Sequence, residues 1–387
     1  MNIRIVIFEV TRVLIDLKYN FTGFSRLGLG KMEQLETMEY YILQTQDILN
    51  VVYKDKEQTD KLAQVYVDEN YKNIKIVASG SSGNGALCAK YIMEKYLGVD
   101  VTIISPYTFA YYPRLSEDDF VFVISQSGYS KNALDALDVL KKINRKTIAL
   151  TGDLNSDIKN HADVVIGYVD EEKEGFVTKG VTTLALFLMK LTFAILKKQG
   201  KEVDTAWFDD YCESFASIQK ENFVREEAFL EKFRKNLLSM EHMYAAGCGP
   251  AEGVAKEAAL KIGETVKIVS CGYELEEYIH GPNLQLSPKH NVFIIDAQDE
   301  TSDRSYQIFR ASRTVSDRVY YITDKEYEDD HVLTLLNPCA DTVALTYLQV
   351  FQLFAYRISK ELGTIKKHPL YGEFKKIVNS KTITYED

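Results

Sequence analysis

Between residues 33 and 70, apolar side chains recur every three or four positions and glycine is absent, which predicts two amphipathic helices. From Ile74 the pattern changes. Short apolar runs at Ile74–Ala78, Val101–Ile104, Phe120–Ile124, Thr147–Thr151 and Val164–Ile166 read as strands. Helical patterns lie between them, one from the loop Ser79-Gly80-Ser81-Ser82-Gly83-Asn84-Gly85 to about Tyr96 and one over 130–142. A long helix from about Lys179 to Lys198 closes this block. Strands interleaved with helices predict an α/β unit built on a parallel sheet.

A charged helical stretch over 201–238 reads as a connector, and then the pattern restarts. A strand at Met243–Ala246 enters Gly247-Cys248-Gly249-Pro250, followed by a helix to about Thr265 and a strand at Val266–Ser270. Strands at Val292–Ile295 and Val319–Ile322 and a helix from about Val343 to Leu362 complete the second block. The two strand–glycine–helix–strand units, near Gly80 and Gly247, predict an internal duplication of one fold. Their spacing is far above the ~20–50 residues of a solenoid repeat. The expected organisation is an N-terminal segment over 1–31, either an extension or an over-read start, and a helical arm over 32–71. A first domain over 72–200, the connector over 201–238, a second domain over 239–362 and a tail over 363–387 follow.

Composition narrows the class. The 387 residues are 46% hydrophobic and 26% charged, an ordinary globular balance without the signature of disorder. A net charge of −10 argues against nucleic acid as the main partner. Cys88, Cys212, Cys248, Cys271 and Cys339 are scattered and odd in number, which predicts buried free thiols in a reducing compartment, hence a cytoplasmic protein. None of the six histidines is paired at metal-ligand spacing, so no metal site is expected. No apolar run is expected to reach the ~20 residues of a membrane span, and charges at Arg4, Glu9, Arg12 and Asp16 argue against a signal peptide.

The candidate chemistry starts where the strand Phe120–Ile124 meets a helix, at Ser125-Gln126-Ser127-Gly128, with Ser130 opening the helix. Hydroxyls, backbone N–H groups and the positive end of a helix dipole converge at such a junction, which suits a phosphate. Helix capping alone explains one serine but not two flanking a glutamine. In the first glycine loop, Ser81 and Ser82 add anion-binding hydroxyls to what is otherwise a tight turn, and the loop fits no nucleotide fingerprint. A third candidate is Thr178-Lys179, with Thr182 and Thr183, which capping explains nearly as well. In the second block Glu257, Lys261 and Glu264 share one helix face. A solvated ion pair would give the same spacing, but this helix leaves a glycine loop between apolar strands, so part of it should face a cleft. His280 follows an acidic turn and meets Gly281-Pro282. A carboxylate and an imidazole together suit proton transfer beside a carbonyl.

Ser125-Gln126-Ser127-Gly128 after a buried strand, and Glu264 followed by His280-Gly281-Pro282, resemble the sugar isomerase (SIS) family, over about residues 72–387. The pattern is similar to the isomerase half of glucosamine-6-phosphate synthase and to the fructosamine-6-phosphate deglycases. The resemblance implies an α/β fold of two tandem SIS domains, each a flavodoxin-like or Rossmann-like parallel sheet flanked by helices. It implies that Ser82, Ser125, Gln126, Ser127 and Ser130 bind a sugar phosphate; Ser81 and Thr178 stand as further candidates on the residue pattern alone. It implies Glu264 as the base between C1 and C2, His280 as a ring-opening acid from the neighbouring subunit of a homodimer or a dimer of dimers, and Lys261 as a lysine of the site. The tail Ser380-Lys381-Thr382-Ile383-Thr384 is similar to the synthase tail, which would close over the site with Lys381 near C2. No metal or organic cofactor is called for.

The departures bear on the reaction. About 70 residues stand where the synthase has its glutaminase, and no cysteine precedes Cys88, so ammonia is not expected to come from glutamine. Tyr129 replaces the usual acidic residue, and Lys367-His368-Pro369-Leu370 resembles the deglycases. The expected substrate is a hexose 6-phosphate linked to an amine, most simply a glycated amino acid 6-phosphate that is cleaved. The alternatives are an aminosugar or ketose/aldose phosphate isomerase, a non-catalytic sugar-phosphate regulator without nucleic acid or membrane partners, and one subunit of a two-chain amidotransferase.

Overall fold

The expected alternation is realised as two α/β units joined through their helices. The computed structural model describes residues 37–168, 172, 175–365 and 368–384. The 1–31 extension, the first residues of the arm and Lys367 lie outside them. Two helices lead, α1 (Met38–Lys54) and α2 (Glu57–Asp68). The first unit runs β1 (Asn73–Val77), α3 (Ser81–Leu97), β2 (Val101–Ile104), α4 (Pro106–Tyr111), β3 (Asp119–Ile124), α5 (Lys131–Lys142), β4 (Ile148–Thr151), β5 (Val164–Gly167) and α6 (Lys179–Lys198). The connector is α7 (Ala206–Lys232) with the short α8 (Arg234–Leu238). The second unit runs β6 (His242–Gly247), α9 (Pro250–Thr265), β7 (Val269–Glu274), α10 (Leu275–Ile279), β8 (His290–Ile295), α11 (Ser302–Arg313), β9 (Val319–Thr323), β10 (Val332–Thr334) and α12 (Val343–Leu362). The tail carries α13 (Tyr371–Ile377).

Each unit holds a five-stranded parallel sheet. Their orders, β2-β1-β3-β4-β5 and β7-β6-β8-β9-β10, are the same when each unit is counted from its own first strand. Every residue of β3 and of β8 is buried, as expected of central strands covered on both faces. Gly80 and Gly249 hold equivalent places before α3 and α9, with φ of 57° and 55°, a region that a residue with a Cβ enters only with strain. The units meet where α9 crosses α3. A Cβ on Gly253 would lie 2.6 Å from Cys88 Sγ and 2.7 Å from its backbone nitrogen, so only glycine permits this approach.

Several expectations are corrected. Residues 179–198 do have the length and mean hydropathy, 1.6, of a membrane span. In the fold α6 is a central helix, with every residue from Lys179 to Thr192 buried. The strand expected at Val266–Ser270 lies later. Helix α9 continues to Thr265, Lys267 turns the chain with φ of 65°, and β7 starts at Val269. Helix α11 escapes the apolar pattern because its buried face is largely serine: Ser302, Ser305 and Ser312 beside Ile308 and Phe309.

The arm is tied to both units. Helix α1 buries Met38, Tyr41, Ile42, Thr45, Gln46, Leu49 and Val52 along one stripe. Gln46 Nε2 donates to Gln349 Oε1 on α12 at 3.0 Å, and Glu39 accepts from Tyr356 and Arg357 on the same helix. At the other end of α1 the ammonium of buried Lys190 donates to the Val52 and Asp55 carbonyls, satisfying acceptors that a helix C-terminus leaves open.

Candidate active site

In a parallel sheet of this order, the loops leaving β1 and β3 diverge, and a crevice opens beyond the carboxyl ends of the strands. The loops here are Ser79–Ser82 and Ser125–Ser130, the two glycine- and serine-containing junctions singled out in the sequence. Together with α5, α9, the arm and the tail they line an open cleft of about 1300 Å³.

The serine turn is held from within. The Gly128 N–H donates to the Ser125 carbonyl at 3.0 Å and to its Oγ at 3.2 Å, and the Tyr129 N–H donates to Ser127 Oγ at 3.3 Å. Gly128 has φ of 70°, and a Cβ there would stand 1.8 Å from Ser156 Oγ, so the turn demands glycine. Ser130 occupies the N-cap position of α5 but its hydroxyl caps nothing. It accepts instead from Lys381 Nζ at 3.1 Å, while Ser127 Oγ accepts from the same nitrogen at 2.5 Å.

Lys381 is aimed there by the tail backbone. The Lys131 N–H donates to the Ser380 carbonyl at 2.9 Å, and the Thr382 N–H donates to the Tyr129 carbonyl at 3.0 Å, an antiparallel bridge across the start of α5. The resemblance implies Lys381 near C2, whereas its ammonium stands among the turn hydroxyls, at the end of the cleft suited to a phosphate. Burial, aided by the charge of Lys375, brings this ammonium down to about 8.

A second group joins the two units. Glu257 on α9 is 1% exposed; it accepts from Ser81 Oγ at 3.0 Å and from Asn84 Nδ2 at 2.8 Å, both on α3. Lys261 is also 1% exposed and lies 3.5 Å from Glu257 and 2.5 Å from Glu264. Burial raises the Glu257 carboxyl above its ordinary range, against the pull of Lys261. Burial would lower the Lys261 ammonium, but the charges of Glu257 and Glu264 outweigh it and hold Lys261 above its ordinary value. Glu264, with a side chain about one-third exposed at 34%, presents its carboxylate to the cleft. A carboxylate steadied by a buried cation and open to a ligand can move a proton.

Ser81, Ser82, Ser125, Gln126, Ser127, Ser130, Glu264 and Lys381 all line this cleft, and Lys261 lies beneath Glu264. Besides Lys261, two expected residues do not line it. Thr178 is fully buried, and its hydroxyl and N–H both donate to Glu172, whose other oxygen accepts from Gly180 N–H. A carboxylate of the chain itself thus caps the start of α6, which explains the threonine without a ligand. His280 ends α10, exposed, outside the cleft of its own chain. Sequence reading missed the wall supplied by the arm, with Tyr40, Tyr41, Gln44, Asp55 and Gln58. The i, i+4 pair Tyr40/Gln44 was visible, but nothing local showed where α1 docks. Among the described residues no group of three or more His, Cys, Asp or Glu could hold a metal ion.

The model of the SIS domain matches residues 69–193 and 236–359. The chain belongs to the SIS domain family. Both SIS matches fall on the two α/β units; the serine turn lies in the first, and Glu257, Lys261, Glu264 and His280 lie in the second. Among curated relatives, glutamine–fructose-6-phosphate aminotransferase [isomerizing] of Clostridium tetani is 26% identical over 357 residues, covering 88% of this chain and 54% of that protein. The enzyme of the same name from Fusobacterium nucleatum is 28% identical over 283 residues, covering 70% of this chain and 46% of that one. The chain thus spans about half the length of these relatives. In fold it is similar to the C-terminal domain of glucosamine-fructose-6-phosphate aminotransferase from Francisella tularensis. That match has a TM-score of 0.74 and 20% identity, covering 88% of this chain and all of that one. It is likewise similar to glucosamine-6-phosphate deaminase from Thermotoga maritima, with a TM-score of 0.70 and 22% identity, covering 86% and 97%.

Proposed function

We propose that this SIS protein is an enzyme acting on a hexose 6-phosphate linked to an amine, moving a proton between C1 and C2 and releasing the amine. The observation that carries the reading is the presence, in one cleft, of the serine turn at one end and of Glu264 on its buried lysine at the other. The names of the curated relatives, which couple fructose 6-phosphate, an amino group and isomerisation, support the same substrate class.

The phosphate lies on Ser82, Ser125, Gln126, Ser127 and Ser130, between the N-termini of α3 and α5 and beside the Lys381 ammonium. Glu264 takes the proton from the carbon beside the carbonyl or imine. Lys261, paired with Glu264, holds that carboxylate in place and offsets the negative charge that develops at the neighbouring oxygen. His280, outside the cleft of its own chain, acts as the acid for a second copy in a homodimer, protonating the ring oxygen or the departing nitrogen. Glu264, open to the cleft, exchanges that proton with water and delivers one to the adjacent carbon, which leaves an imine at C1; water adds to C1, the C1–N bond breaks with a proton passing to the nitrogen, and a hexose 6-phosphate and the free amine leave.

The test is a mass-spectrometric screen of glycated amino acid 6-phosphates and aminosugar 6-phosphates with the pure protein. Release of free amine and hexose 6-phosphate supports the reading. Conversion of an aldose to a ketose phosphate with no amine released moves the protein to the plain isomerases, and binding without any conversion makes it a sensor.

A further inference from the structure

The tail leaves an apolar face uncovered. Helix α13 lies beyond residue 359, where the second SIS match ends, and none of its residues is buried. Leu370, Phe374, Ile377 and Val378 nevertheless recur at helical spacing and share one side, with Phe374 63% and Ile377 85% exposed. A contiguous exposed apolar face of this kind marks a contact site. A matching hollow lies on the second unit. A pocket of about 310 Å³ opens between α10 and α11, walled by Tyr278, Ile279, Leu286, Ile308, Ala311 and Val315. Exposed Leu284 carries this apolar surface outwards. Asn283 also lines the pocket, and its buried side-chain oxygen meets no donor among the described residues. The charges around the two features are opposite in balance. On α10, Arg304 pairs with Glu276 and leaves Glu277 exposed, whereas α13 carries Lys375 and Lys376 against Glu373.

We propose that α13 is the docking element for a second copy of this chain, with its apolar face on the α10–α11 surface of that copy and Phe374 inserted in the pocket beside His280. The assignment rests on the shared site of the proposed function and adds to it the surface that assembles that site. Ile377 stands four residues from Lys381, at most about 14 Å of extended chain, and Lys381 lines the cleft. The pocket wall starts two residues before His280. A second copy that brings its His280 into the cleft therefore brings its pocket within reach of α13. Lys375 and Lys376 then face the acidic start of α10, and two-fold symmetry makes the same contact twice in each dimer. The helix that leads to the phosphate-end lysine also holds the loop that carries the acid, so one contact positions both.

The experiment puts the photo-reactive benzoylphenylalanine in place of Phe374 in the full chain, mixes it with isotopically heavy wild-type protein, and maps the cross-linked peptides by mass spectrometry. The expected product joins position 374 of one copy to residues 278–315 of the other. Cross-links within one copy, to residues 1–36 or to another surface overturn the docking, as does the absence of any product. Two variants read the same contact without the probe. Phe374→Ser removes the inserted ring, and Ala311→Trp, at an exposed position of the pocket wall, fills the hollow from outside. Each should raise the dimer dissociation constant in sedimentation velocity by about ten-fold or more, the scale of one interface anchor. An unchanged constant in both overturns the proposal. Where Glu264→Gln and His280→Ala regain activity on subunit exchange but the cross-links map elsewhere, the shared site stands and the docking surface falls. A fully active wild-type monomer overturns both.

Discussion

Replacing Lys261 by methionine isolates the interaction on which Glu264 depends. The side chain keeps its length and packing but loses an ammonium 3.5 Å from Glu257 and 2.5 Å from Glu264. Glu264 is about one-third exposed and recovers solvation from water, so most of the cost falls on Glu257, which is 1% exposed. Removing one partner of a buried pair costs about 3–5 kcal/mol. The bonds from Ser81 and Asn84 survive, which places Lys261→Met near ~3 kcal/mol. The change is also pH-dependent. Burial already raises Glu257 above the ordinary 4.5, so above that pH the folded protein binds more protons than the unfolded one, and stability falls as pH rises towards the folded value. Loss of Lys261 pushes the folded value higher and lengthens this falling range. Urea unfolding at pH 5 and pH 7.5 should therefore show a deficit that is small at the lower pH and larger at the higher. The double variant Glu257→Gln/Lys261→Met should recover about 2 kcal/mol of it. A deficit below about 1 kcal/mol, equal at both pH values and unchanged by Glu257→Gln, would refute the electrostatic account of this group.

Further predictions concern the turn, the tail and the second copy. Gly128→Ala combines a left-handed backbone costing about 1–2 kcal/mol with a clash costing about 1–3 kcal/mol. Calorimetry should show a clear loss of Tm and titration a loss of hexose-phosphate affinity; an unperturbed Tm sinks the turn geometry. Because the Lys381 ammonium titrates near 8, KM for a phosphosugar should rise as pH passes that value, while Lys381→Arg, charged throughout, gives a flatter profile. Borohydride treatment with substrate present should leave the mass of the protein unchanged; a sugar adduct on Lys381 would place that residue at the carbonyl instead of the phosphate. Glu264→Gln and His280→Ala, each inactive alone, should regain partial activity after subunit exchange, and failure despite demonstrated exchange removes His280 from the shared site.

What the sequence revealed about this site was what is local. The serine turn and the positive-φ glycines before α3 and α9 are set by a few consecutive residues, so their types betray them. The alignment of Glu257, Lys261 and Glu264 follows from helix periodicity alone. By contrast, the contact of Glu257 with Ser81 joins residues 176 positions apart, and the Gln46–Gln349 bond that seats the arm joins residues 303 apart. No local pattern encodes such pairings. Thr178 misled because a capping threonine and an anion-binding threonine look alike in sequence, and nothing in the pattern marks Glu172, six residues earlier, as the carboxylate that captures it. Helix α6 misled because a helix buried on all sides inside a protein has the composition of one buried in lipid.

The central claim is that Glu264 moves a proton on an amine-linked hexose 6-phosphate held by the serine turn. Incubation of a fructosamine 6-phosphate with the protein in D2O, followed by mass spectrometry of the sugar product, tests it most directly. The account predicts released amine and one non-exchangeable deuterium at C1 or C2 of the hexose 6-phosphate with the wild type, and neither with Glu264→Gln. Amine release without deuterium at C1 or C2, or full activity in Glu264→Gln, would contradict it.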